Sequence, residues 1–152
     1  MQEKEKLSLI DSETISEAIM EMVAEYPDLP FHASAKNILW QSIADTESIG
    51  LFTLQGAVYL SRYVSGSYIA QFPFRIVYKC SPGGNRERMD KQNFVSDLSA
   101  WLEKCTATFK DTRILLQSID RTSPVYKKGA DNGGAEEYTC TMNLKYMFKK
   151  KG

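Results

Sequence analysis

The chain has 152 residues, 43% hydrophobic and 25% charged, which suits one globular domain burying about 70% of its unfolded surface and argues against global disorder. Lys plus Arg equals Asp plus Glu at 19 each, so no overall charge draws the chain to nucleic acid or to an anionic membrane. Cys80, Cys105 and Cys140 stand far apart with no C-x-x-C pair, and they read as reduced, mostly buried thiols rather than a disulfide framework.

Residues 1–10, MQEKEKLSLI, alternate in charge and then show a brief apolar run, too short for a signal-peptide core or a spanning helix. They are expected to form an N-terminal arm of a protein made and used in a cytoplasm. A helix is expected from Ser12 to Glu25, because Ile15, Ala18, Ile19, Met22, Val23 and Tyr26 recur at three- and four-residue spacing. Asp11 or Ser12 would cap it and Tyr26-Pro27 would stop it, leaving Glu17, Glu21 and Glu25 as a solvated face.

Short strands are expected over Ile38–Ile43, Ser48–Leu54 and Val58–Tyr63, and Ser65-Gly66-Ser67 supplies a hairpin turn into a long strand from Tyr68. That strand shows period-2 alternation, with Tyr68, Ala70, Phe72, Phe74, Ile76, Tyr78 and Cys80 on one side and Gln71, Arg75 and Lys79 standing between them. Pro73 inside it argues for an edge or a bulge, since proline donates no ladder hydrogen bond. Ser81-Pro82-Gly83-Gly84-Asn85 then turns the chain into a second helix, Arg86–Lys104, with Phe94, Leu98, Trp101, Leu102 and Cys105 as its buried stripe.

Arg113–Asp120 reads as a strand, and Tyr138–Phe148 as another with the cleanest alternation in the chain. Between them, Thr122–Glu137 lacks periodicity and is rich in glycine and charge, so it is expected to be a long exposed loop open to partner contact. A basic tail, 149–152, ends the sequence. The order of elements gives one α+β domain: a mixed or mainly antiparallel sheet with two main helices packed on one face.

No catalytic constellation accompanies this scaffold. His32 is the only histidine and follows a proline break, which suits a loop or packing role. No cysteine and histidine spacing suggests a zinc site, and no cofactor motif is present. The turn Pro82-Gly83-Gly84-Asn85-Arg86 could cradle an anion at a helix N-terminus, but it has neither a Walker lysine nor G-x-G-x-x-G, and a strand-to-helix turn needs glycine for backbone reasons alone.

Gln71-Phe72-Pro73-Phe74, then Tyr78-Lys79-Cys80-Ser81-Pro82, and Asn85 through Arg88-Met89-Asp90-Lys91-Gln92-Asn93-Phe94 to Leu98, Trp101-Leu102-Glu103, together resemble the minor capsid and tail-terminator (head–tail joining) proteins of tailed bacteriophages. The resemblance spans about residues 49–103. It implies a non-enzymatic virion subunit without cofactor: a homo-oligomeric ring, typically a hexamer, that caps the tail tube, ends its polymerisation and offers a docking surface to the head connector. The implied partners are other copies of the chain, the tail tube protein, connector or neck proteins and a sheath, with no specific nucleic-acid binding though DNA would pass through the ring, and no membrane. The implied location is the virion neck or a tail-like particle assembled in the bacterial cytoplasm. The expected interface residues are Arg75 and Lys79 on the long strand, with Tyr126, Lys127, Lys128, Asp131, Glu136 and Glu137 on the loop. Another head-completion protein, or a small ligand-binding or hydrolytic enzyme built around His32 or a cysteine, are the alternative readings.

Overall fold

The computed structural model of the chain describes residues 2–34, 36–54, 59–107, 109–128 and 134–150, with side chains from residue 13 onward. Its elements run α1 (Gln2–Ala24), β1 (Ile38–Trp40), β2 (Ser48–Thr53), β3 (Tyr59–Arg62), β4 (Tyr68–Cys80), α2 (Asn85–Glu103), β5 (Ile114–Arg121), β6 (Tyr126–Lys128) and β7 (Glu136–Phe148). The α+β expectation, with a largely antiparallel sheet and two helices, holds.

The two strands with the clearest alternation find each other. β4 and β7 are each 13 residues long and pair antiparallel from Tyr68 opposite Phe148 to Cys80 opposite Glu136. The outer edge of β4 carries β2 against residues 74–79 and β3 against 68–70, while the outer edge of β7 carries β5 against 142–148 and β6 against 137–139. β1 adds to β2 as the single parallel pair among the described strands.

Alternation then sorts the two faces. Tyr68, Ala70, Phe74, Ile76, Tyr78 and Cys80 of β4, with Tyr138, Cys140, Met142, Leu144, Tyr146 and Phe148 of β7, lie buried beneath the helices. α1 covers them with Ile15, Ala18, Ile19, Met22 and Val23, and α2 with Val95, Leu98 and Leu102. Tyr26 ties the helices together, its ring 6.0 Å from Phe94 and 5.5 Å edge-on from Trp101, and Phe94 in turn meets Tyr78 at 4.8 Å. Each such buried side chain contributes about 1.5–3 kcal/mol over leaving it exposed. The stripe of α2 is centred one residue from its expected place: Val95 and Ser99 are buried with Leu98 and Leu102, while Phe94, Trp101 and Cys105 are half-buried at its margin.

Several expectations are corrected. Residues 2–10 of the expected N-terminal arm belong to α1, so Asp11 and Ser12 lie inside the helix rather than at its start. Gln, Glu, Lys and Leu, which dominate QEKEKLSL, are all good helix formers, and propensity extends the helix where no apolar stripe announces it. The strand expected to reach Ile43 ends at Trp40, where Gln41 takes φ 57° and its side-chain amide clamps Thr53. Pro73 sits in a central strand rather than at an edge. Its carbonyl accepts from the Leu54 N–H, so the side on which it lacks a donor faces the gap between the last β2 pair, Thr53 with Phe74, and the β3 pair of Tyr59 with Ala70. The Thr122–Glu137 loop is interrupted by β6, and its last two residues belong to β7.

The connection between β1 and β2 folds over the helix-free face, where Gly50 is fully covered. A Cβ there would stand 2.5 Å from the Ser42 carbonyl oxygen and 2.8 Å from the Phe52 ring, so only glycine lets that backbone approach. Gly50→Ala is therefore expected to cost about 1–3 kcal/mol of unfolding free energy. Urea denaturation would check this, and an unchanged midpoint would show that the connection does not rest on the sheet as described.

Candidate subunit and partner interface

Among the described residues no helix covers the other face of the sheet, whose β4 and β7 side chains are mostly half-buried, with Val77 and Thr139 buried beside the Gly50 corner. Period 2 places on it Ile69, Gln71, Pro73, Arg75, Val77 and Lys79 from β4, opposite Met147, Lys145, Asn143, Thr141, Thr139 and Glu137 of β7. Arg75 stands between Phe52 of β2 and Thr141 of β7, half-buried, with its Nε buried and without a hydrogen-bond partner among the described residues. Lys79 lies between Ser48 and Glu137. Lys128 is opposite Glu137 and Tyr126 opposite Thr139, so both share this face, Tyr126 at 45% exposure. The structure thus brings Arg75, Lys79, Tyr126, Lys128 and Glu137 onto one surface.

Lys127 and Glu136 go elsewhere. Lys127 is opposite Tyr138 on the helix side, and Glu136, expected to be exposed, is only 2% accessible. Its carboxylate accepts from Arg88 Nε at 2.9 Å and lies 3.6 Å from Lys127 Nζ. Burial pushes the Glu136 carboxyl up, but the Arg88 hydrogen bond, the charges of Arg88 and Lys127 and the Gly83 backbone N–H outweigh it and hold the group below its ordinary value. Burial first, then the Glu136 charge, raises the Tyr138 hydroxyl alongside. This knot fastens β6 and the first turn of α2 to the end of the central ladder, with the Glu136 carboxylate buried and the Arg88 and Lys127 side chains still reaching solvent. Asp131 lies outside the described residues.

The same knot answers the glycine turn. The Glu87 carboxylate accepts from the Gly84 N–H at 3.3 Å, and Glu136 engages that of Gly83, so the chain's own carboxylates serve the anion-friendly donors. Nor do nucleophiles gather: His32 is exposed on a loop, and burial raises the Cys80 and Cys105 thiols and pushes Cys140 up to about 11. No group of three metal-ligating side chains converges among the described residues, and no described helix is long and apolar enough to cross a membrane.

Sequence reasoning missed Arg88 as the partner of Glu136, a contact across 48 residues that no spacing announces. It also missed the apolar residues on the helix-free face. Ile69 and Val77 of β4 and Met147 of β7 interrupt the polar side of the two alternations, and those breaks were the available signal.

No family model matches the chain, and no curated protein matches it. Its fold is similar to that of a chain in the virion of a native gene transfer agent particle, with a TM-score of 0.59 over 90% of this chain and 96% of that one, at 10% sequence identity. A second solved chain aligns over 96% of this chain and 97% of its own at 15% identity, but its TM-score of 0.43 is too low to support an argument. At these identities the likeness is one of fold.

Because its folded value is depressed, Glu136 contributes stability that is complete above the ordinary glutamate value of about 4.3 and fades as pH falls through the folded value. Glu136→Gln is expected to cost on the order of 1–3 kcal/mol at neutral pH. Denaturant titrations of both proteins at descending pH should show that gap closing in acid. A gap independent of pH would mean the carboxylate's charge is not what holds the knot.

Proposed function

We propose that this chain is a structural subunit of a phage-like particle, a ring-forming tail terminator that caps the tail tube, stops its growth and presents the docking surface for the head connector. The observation that carries the reading is the near full-length fold likeness to a chain of a gene transfer agent virion, which coincides with the sequence resemblance over residues 49–103. The distribution of chemistry supports it: the polar groups of the sheet are spread across the helix-free face, and the buried ion knot is spent on holding strands together. A reaction would need convergence that the exposed His32 and the proton-holding thiols do not supply.

A hexameric ring uses heterologous contacts, in which two different patches of one subunit meet across each interface. In this reading Arg75, Lys79, Tyr126, Lys128 and Glu137 meet the tube, the connector or the next copy, with sheath and neck proteins as outer partners. Overall neutrality suits a subunit that stays unassembled until a tube end templates the ring. DNA passes through the ring without being read, and the particle assembles in the bacterial cytoplasm.

Light-scattering mass and negative-stain images, with and without purified tail tubes, test this. Ring-sized particles or capped tube ends are expected. A chain that stays monomeric and leaves tube ends bare would contradict it, and binding to connectors in place of tubes would favour the head-completion reading.

A further inference from the structure

Although the chain is neutral overall, its charges are segregated: residues 1–48 hold 10 acidic and 3 basic side chains, and the remainder hold 9 and 16. In α1 and just beyond it, Glu13, Glu17, Glu21 and Glu25 recur every fourth residue and are all exposed, so they form one acidic stripe on the side away from the core. Lys110 answers it from within the chain, pairing with Glu17 at 2.9 Å.

The opposite charge collects at the far surface. Register places Ile69, Met147 and Leu115 in one row across β4, β7 and β5 on the helix-free face, with Leu115 48% exposed. Lys145 stands next along that face, and Lys149 and Lys150 follow β7. Lys149 and Lys150 are held there by their backbones, Lys149 donating to the Arg113 carbonyl and Lys150 to Ser67 Oγ. Of the carboxylates near this end, Asp111 is already engaged by Arg113 at 2.8 Å, and Asp120 stands one row beyond Lys145, opposite Asn143, so lysines outnumber the free carboxylate. An apolar row flanked by lysines is the composition of a docking surface for an acidic partner.

We infer that this row is the socket for the acidic stripe of α1 from a second copy of the chain. The stripe lies on the helix layer and the socket on the other face of the same sheet, so one molecule cannot close the contact on itself. Two copies joined this way leave one stripe and one socket free, which is a heterologous contact able to close into a ring. The inference rests on the ring reading above and specifies which two surfaces meet.

The test uses two charge-reversed proteins, Glu13→Lys with Glu21→Lys on the stripe, and Lys145→Glu with Lys149→Glu beside the socket. Sedimentation velocity should show wild-type association that weakens as salt rises, because exposed charge pairs are screened beyond a Debye length of about 8 Å at physiological ionic strength. Each reversed protein alone should associate at least tenfold more weakly, and an equimolar mixture of the two should recover association, since each stripe then meets an opposite socket. Leu115→Asp, which leaves every charge in α1 intact, should weaken association too. If wild type assembles and either reversed protein assembles equally well, or the mixture fails to recover, this contact is wrong while the ring reading stands. If wild type stays monomeric at every concentration and at tube ends, the ring reading falls and this contact with it.

Discussion

The pairing of β4 with β7 is the constraint on which the rest of the molecule depends. Thirteen residues of each strand are locked in one antiparallel register, and period 2 makes that register all-or-none. A slip of one residue would turn Tyr68, Phe74, Tyr138 and Tyr146 to solvent and drive Arg75, Lys79 and Lys145 beneath the helices. Burying charge without partners costs several kcal/mol per group, so the alternative registers are closed by both faces at once. β2 and β3 are appended in tandem to one outer edge of this pair and β5 and β6 to the other, with β1 beyond β2. The one residue unable to donate, Pro73, falls where β2 gives way to β3.

From that ladder follows a division of labour. The helix-covered face is closed by apolar packing around Tyr26, Phe94 and Tyr78, and its exposed end is tied off by Glu136 between Arg88 and Lys127. The other face is free to carry chemistry unrelated to stability, because its side chains stand on a backbone already fixed from below. In the proposed ring, Arg75, Lys79 and Glu137 would stand on the paired central strands rather than on loops.

Much of this was legible in the sequence because alternation and helical spacing are local signals. The boundaries of β4 and α2, the one-sided helices and the buried faces of β4 and β7 all followed from them. The interface was less legible. Glu136 and Glu137 are adjacent and chemically alike, yet the first is sealed against Arg88 and the second lies on the helix-free face, a difference created only when β7 enters the sheet. Tyr126-Lys127-Lys128 looked like loop because three residues cannot show a period, and their pairing with residues 137–139 is a tertiary fact. The acidic spacing of α1 was visible as a solvated face, but its significance depends on where the lysines of β7 stand in space.

The central claim is that this fold serves to end a polymer rather than to catalyse a reaction. Its most direct test is the length distribution of tail tubes assembled in vitro from tube subunits with increasing amounts of this protein. The account predicts tubes that shorten and stop elongating as the protein approaches one ring per growing end. Tubes whose lengths and growth rates are indifferent to the protein at saturating excess would contradict it.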